Sequence, residues 1–364
     1  MSAAGEAATM AAAPALLRSP RRLRRLLVGA VLAALLVVAV LLGAGIGAVR
    51  IPPGDVLGTL VWKLGLGDAP PGNVGDVLWG IRAPRLALSM AVGAALAVSG
   101  ALLQGIFRNP LADPTIVGIS SGAAVGASTA IVGGATLLST TGLGTVTVFA
   151  FAGALITALL VYTLARHEGR TEVVTLILTG IALNALAMGV VGLMTFLATD
   201  EELRSLSFWT LGSLAGATWP AVKLAAPIAL ATCLLAPLLA RRLDALALGE
   251  AEAEHLGVRT ERLRMAAIAI AALATGAAVA VAGMLSFIGL VVPHLVRLSA
   301  GPGHRFLIPA SAVGGAAACA LADVVARTVA VPQEVPLGVV TALVGGPFFL
   351  WLLRRTRAEH GAWR

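Results

Sequence analysis

The sequence predicts an all-α integral membrane protein with about ten transmembrane helices. Composition is the first reason: 58% of residues are hydrophobic and 12% are charged, with a mean hydropathy of +0.94. A soluble domain carries about 25% charge. The second reason is the division of the 364-residue chain into apolar runs long enough to cross a bilayer, which takes about 20 residues each. The third is the clustering of charge between those runs. Arg241–Arg264, RRLDALALGEAEAEHLGVRTERLR, holds ten of the chain's 26 basic and 18 acidic residues. A segment this polar cannot sit in hydrocarbon and must lie in water between two spans. Its Leu, Ala, Glu and Arg, punctuated by Gly249 and Gly257, favour short helices.

Residues 1–25 are Ala-rich and then basic, with Arg18, Arg21, Arg22, Arg24 and Arg25. An Arg pair before an apolar run also fits a secretory or twin-arginine signal. The run from Leu26 to Val49 is longer than a signal core, however, and reads as a first span behind a disordered cytoplasmic tail. Spans are then predicted at 26–48, 84–106, 115–135, 142–165, 173–197, 217–240, 263–284, 286–300, 306–328 and 336–354. The eighth is short and contains Pro293. This gives a membrane domain at 26–355 and a cytoplasmic C-terminal tail at 356–364. With both termini inside, 19 of the 26 basic residues fall on the cytoplasmic side, as the positive-inside rule requires. The 241–264 segment is then cytoplasmic.

An internal repeat is visible. GAALAVSGAL at Gly93–Leu102 matches GAAVAVAGML at Gly276–Leu285, and Pro110 and Pro293 share the same offset of 183 residues. The two copies fall in the second and seventh spans, which run in opposite directions, so the repeat is inverted, an architecture common in transporters.

Several functions are excluded. The only lysines are Lys63 and Lys223, and neither follows the glycine of a Walker A loop, so any ATP hydrolysis belongs to another chain. The net charge of +8 reports membrane topology rather than nucleic-acid binding. No nucleophile–base arrangement for catalysis is visible. No His, Cys or carboxylate cluster has metal-ligand spacing. Cys233 and Cys319 sit in apolar spans as packing residues. His294 reads as a membrane histidine satisfied by a neighbour, and His304 as a structural residue of the GPGHR turn. The small residues of Gly118–Ala127 read as a close-packing face. Mid-span acids, which an ion-driven secondary transporter usually carries, are missing; Asp323 lies near the outer end of the ninth span.

RAPR (Arg82–Arg85), SGALLQGIFRNPLADPTIVGISSGAAVGA (Ser99–Ala127), FWTLGSLAGATW (Phe208–Trp219), LGEAEAEHLGV (Leu248–Val258), FIGLVVPHLVR (Phe287–Arg297), GPGHRFLIPAS (Gly301–Ser311), ADVVAR (Ala322–Arg327) and PLGVVTALVGGPFFLWLLRR (Pro336–Arg355) occur in this order. Together they resemble the FecCD-type (BtuC-like) permeases. These are membrane subunits of binding-protein-dependent ABC importers for ferric siderophores, haem and cobalamin. The resemblance runs from about residue 30 to 355.

The resemblance implies a type II importer permease, working as a homodimer with two ATP-binding subunits and a periplasmic or lipid-anchored substrate-binding protein. It implies coupling helices at about 242–262 that dock on the ATPase through Leu248, Gly249, Glu250, Glu252, Glu254, His255, Leu256 and Gly257, the glutamates and His255 forming a polar face. It implies that Arg82, Arg85 and Arg327 meet carboxylates of the binding protein, and that Asn109 and Leu111 help close a cytoplasmic gate. No catalytic residue, metal or cofactor is expected on this chain; ATP and Mg belong to the ATPase. The expected setting is a bacterial cytoplasmic (inner) membrane, crossed many times. The expected cargo is an iron complex, haem or a ferric siderophore, with cobalamin as the alternative and an ion-driven transporter as a more distant one.

Overall fold

A computed structural model describes residues 20–47, 50–68, 72–137, 143–167 and 170–359. Of the predicted tails at 1–25 and 356–364, residues 1–19 and 360–364 lie outside the described residues. The chain runs α1 (Pro20–Gly45), α2 (Pro53–Lys63), α3 (Val74–Ile106, opening with a π-helical turn over Val77–Arg82), a 3-10 turn at Pro114–Val117, α4 (Ile119–Leu137) and α5 (Leu143–Leu164). It continues with α6 (Val173–Leu197), α7 (Asp200–Leu211), α8 (Trp219–Leu235), α9 (Ala240–Leu246), α10 (Glu250–His255), α11 (Thr260–Ala282), α12 (Ile288–Ala300), α13 (His304–Ala326) and α14 (Leu337–Glu359). α8 passes into α9 through a 3-10 stretch, Ala236–Leu239, where Pro237 lacks the donor an α-helix needs.

Helix dominates because hydrocarbon leaves no partner for backbone N–H and C=O groups outside the segment itself. Seven helices among the described residues are long and apolar enough to cross a membrane, and three more apolar helices are shorter: Ile119–Gly134, Ile288–Ala300 and Leu337–Trp351. Each predicted span coincides with one of these helices. The starts of two helices move most: α1 starts at Pro20 rather than 26, and α3 at Val74 rather than 84. Arg24 and Arg25 are therefore helical, and they donate to the carbonyls of Leu298 and Ala300 at the end of α12. Basic groups there meet acceptors that the helix cannot satisfy itself.

Three elements lie outside the predicted set. α2 is one. α7 is another, and its sequence signal was present. Thr199 and Glu202 form a reciprocal capping box, with Asp200 and Glu201 in the first turn. The Thr199 amide and hydroxyl hold the Glu202 carboxyl below its ordinary range. The third is a two-residue antiparallel pair, Arg166–His167 with Arg170–Thr171.

α3 is the hub, packed against α8, α11, α12 and α13. Small residues permit the approach. A Cβ on Gly93 would stand 2.1 Å from the Gly315 carbonyl oxygen, and one on Gly100 would stand 1.7 Å from that of Gly289. α4 meets α5 the same way at Gly122, Gly126 and Gly153, so the Gly118–Ala127 stretch is a packing face as expected. We expect Gly93→Val to separate α3 from α13 and to cost about 1–3 kcal/mol or more by overpacking. Thermal unfolding in detergent checks this, with Gly189→Ala in open space on α6 as an unaffected control. α3 and α11, which carry the two similar segments, lie side by side and are joined by the Ser99–Thr275 hydroxyl pair at 2.7 Å. The two aligned prolines differ in setting: Pro110 is in a turn and Pro293 is inside α12.

Candidate functional site

The charged 241–264 segment folds as α9, α10 and the first turn of α11. Gly249 (φ +141) and Gly257 (φ +80) bracket α10 in backbone conformations that favour glycine. Leu243, Leu246 and Ala253 are fully buried and fix the element to the bundle. Its glutamates divide. Glu250 pairs with Arg264, which also donates to the Thr171 carbonyl at 3.0 Å. Glu254 accepts from the Thr260 hydroxyl at 3.0 Å, at the start of α11. Glu252, His255 and Gly257 face solvent, as do Leu248 at 68% and Leu256 at 65% exposure. All three glutamates of the expected polar face are exposed; two of them also tie the element together, and Leu248 and Leu256 stand exposed beside them.

The base of this element is anchored at two points. Glu261 accepts from the Tyr162 hydroxyl at 2.9 Å and from the Thr171 amide and hydroxyl at 2.9 and 2.6 Å. Asp244 of α9 reaches α13: its Oδ1 lies 2.8 Å from both the backbone N and the Nδ1 of His304. His304 opens α13, so a carboxylate from α9 satisfies one of that helix's free N-terminal donors. Gly105 of α3 closes the joint, since a Cβ there would meet His304 Nε2 at 2.8 Å and Leu243 at 3.2 Å. α3, α9 and α13 therefore meet at one point, just before the 108–114 break.

That break is built by local bonds. The Asn109 carboxamide accepts from the Leu111 amide at 2.9 Å, and Asp113 accepts from the Thr115 amide at 2.8 Å. Asn109 is exposed and Leu111 half-buried. Asn184 of α6 donates to the Thr115 carbonyl at 3.1 Å and meets the Ser121 hydroxyl. An isolated amide in an apolar helix was the sequence signal for this tie, and the sequence reading missed it. His294 is buried against the backbone of Pro110. Among the described residues no group of three or more His, Cys, Asp or Glu could hold a metal.

Residues 35–355 match the model of the FecCD transport family. The chain belongs to the FecCD transport family. The hemin transport system permease HmuU of Yersinia pestis is 44% identical over 79% of this chain and 87% of its own length. A cobalamin import permease, BtuC of Halobacterium salinarum, is 45% identical over 81% of this chain and 78% of its own length. The Fe(3+) dicitrate permease FecD of Escherichia coli is 41% identical over 77% of this chain and 86% of its own length. A solved metal-chelate type ABC transporter in an inward-facing conformation is 32% identical, with a TM-score of 0.78, covering 90% of this chain and 98% of that one. The protein is thus a multi-pass ABC importer permease, and its relatives are transport subunits.

At the opposite end of this FecCD permease the three arginines are buried: Arg82 is 5%, Arg85 8% and Arg327 9% exposed. Arg85 Nε lies 3.0 Å from both oxygens of Asp323, and its Nη atoms lie 3.0 and 2.9 Å from those of Glu334. Arg327 donates to the Gly43 carbonyl at 2.6 Å and Arg82 to that of Ala44. These carbonyls belong to the last turn of α1, which has no intrahelical donors for them. The three arginines expected to meet a binding protein are engaged within the chain in this structure. In this conformation they clamp α1, α3, α13 and the segment after it together. A cleft of about 990 Å³ opens between α4, α5, α7, α8 and α11, with Arg204, Phe208 and Trp209 of α7 on its wall.

Proposed function

We propose that this FecCD permease carries an iron complex, haem or a ferric siderophore, into the cytoplasm of a bacterium across its cytoplasmic membrane. The observation that carries the reading is the α9–α10 element, a stiffly anchored polar projection with Leu248 and Leu256 exposed at its tip. It fits a groove on a separate ATPase, which binds ATP and Mg. Closure of two such ATPases would pull α9, and through Asp244 and His304 would move α13 relative to α3 and the break carrying Asn109 and Leu111. In this reading ten helices span the membrane with both termini inside, and their halves are related as an inverted repeat. A second copy covers part of α6, where Leu178, Ile181, Leu186 and Phe196 stand exposed. A substrate-binding protein delivers cargo to the cleft end, where the buried Arg82, Arg85 and Arg327 shape the surface it meets.

The haem and Fe(3+) dicitrate relatives support an iron cargo. The second reading, cobalamin, is favoured by the 45% identical cobalamin permease. Proteoliposomes holding the permease, its ATPase and its binding protein separate the two. We expect uptake of haem or a ferric siderophore on addition of ATP and none of cobalamin; uptake of cobalamin alone would reverse the assignment. An ion gradient without ATP should drive no uptake.

A further inference from the structure

Outside the apolar spans, α2 carries an unusual surface. Its buried side is small: Thr59 is 2% exposed, and Val56 packs with Val74 and Val77 around Ala44, Ile51 and Leu78. Its outward side carries Leu57 at 64%, Leu60 at 49%, Val61 at 43% and Leu64 at 73%, followed by Leu66 at 77%. Positions 57, 60, 61 and 64 follow the i, i+3, i+4, i+7 spacing of one helical face. The usual arrangement is reversed, since the apolar stripe points away from the protein.

We propose that α2 lies in the lipid–water interface of the leaflet opposite the α9–α10 end, with this stripe against acyl chains. Three observations favour lipid as the occupant. The stripe follows, a few residues along the chain, the apolar helix α1, where Val37 is 56%, Val38 45% and Leu41 57% exposed. α2 begins eight residues after α1 ends, at Pro52 and Pro53, so the chain turns where the span leaves the hydrocarbon. The element is also edged by the residues that mark that level in membrane proteins. Lys63 Nζ stands 4.1 Å from the Trp62 ring and 5.6 Å from the Trp79 ring. Trp79 stacks on Trp219 at 5.0 Å, and the Trp219 indole donates to the Trp79 carbonyl at 2.9 Å. α3, from Val74 to Ile106, is 33 residues long, where about 20 suffice to cross. Its first turns, with Trp79 and the 61% exposed Ile81, thus extend into the interface that α2 would share. A short helix with an apolar face and a basic, aromatic edge is the form that binds in this plane. The inference is independent of which cargo the permease carries.

Site-directed nitroxide labelling tests it on the full-length chain in phosphatidylcholine/phosphatidylglycerol vesicles. In a Cys233→Ala/Cys319→Ala background, single labels enter at Leu57→Cys, Leu60→Cys and Leu64→Cys. Asp68→Cys, exposed beyond the end of α2, serves as the aqueous reference. The three stripe labels should be several-fold more accessible to oxygen, relative to a water-soluble nickel chelate, than the label at 68. Equal nickel accessibility at all four positions would overturn the proposal. So would stripe labels that are water-accessible alone and become shielded when the substrate-binding protein is added, since the face would then be a protein-docking surface.

Discussion

Leu248→Asp/Leu256→Asp should abolish ATP-driven uptake while leaving the permease folded. Both side chains are more than 60% exposed, so the change removes no intramolecular packing. If they bury in an ATPase groove, each contributes about 1.5–3 kcal/mol, and the pair should weaken ATPase binding by at least ~100-fold. The measurements are co-purification with the ATPase, uptake in proteoliposomes and thermal unfolding of the isolated permease. An unchanged unfolding temperature with lost co-purification is the expected pattern; normal co-purification and uptake would refute the docking role. Glu250→Ala should behave differently. It strips Arg264, whose side chain is 8% exposed, of its carboxylate and so destabilises the permease itself.

Arg85→Ala should be among the most damaging single changes at the other end. It leaves Asp323, 3% exposed, with only the more distant Arg327 Nε at 3.8 Å, and breaking a buried pair in this way costs up to about 3–5 kcal/mol. Arg85→Lys should rescue little, because an ammonium cannot reproduce the fork that reaches both Asp323 and Glu334. Arg85→Met/Asp323→Leu should recover part of the loss by removing both charges. Glu334, with its side chain 41% exposed, should tolerate Gln at a cost of about 1 kcal/mol or less. Unfolding temperatures of the four variants in detergent decide this. If Arg85→Ala unfolds with the wild type and loses only binding-protein affinity, the arginine is a docking residue and not a clamp.

The sequence was most legible where the physics is local. A run of apolar residues has to form a helix in hydrocarbon whatever its neighbours do, so the spans fell where composition placed them. The polar 241–264 stretch likewise emerged as short helices outside the spans. The glycines of Gly118–Ala127 were readable as a packing face because small residues have that use in membranes. α2 escaped because Pro52, Pro53, Gly54 and Gly58 read as loop, and only packing of Val56 on Val74 and Val77 stabilises it as helix.

Polar residues were less legible because a charge does not announce its partner. Glu250 and Glu252 look alike in the sequence, yet one is paired with Arg264 and the other faces water. Arg85 reads as an outer-surface arginine until the fold brings Asp323 to it from 238 residues away.

By itself, then, the sequence determined that this is a membrane-embedded helical permease, and where its polar projection lies. Those follow from transfer free energies and motif order, which are properties of segments. Only the tertiary structure decided which charges are internal ties and which are free to meet a partner. It tied Glu250 and Glu254 into their element beside exposed leucines, and it set Arg82 and Arg327 on the last carbonyls of α1. Burial and pairing depend on neighbours distant in the chain, and in a low-dielectric interior those neighbours set the energy of every ionised group.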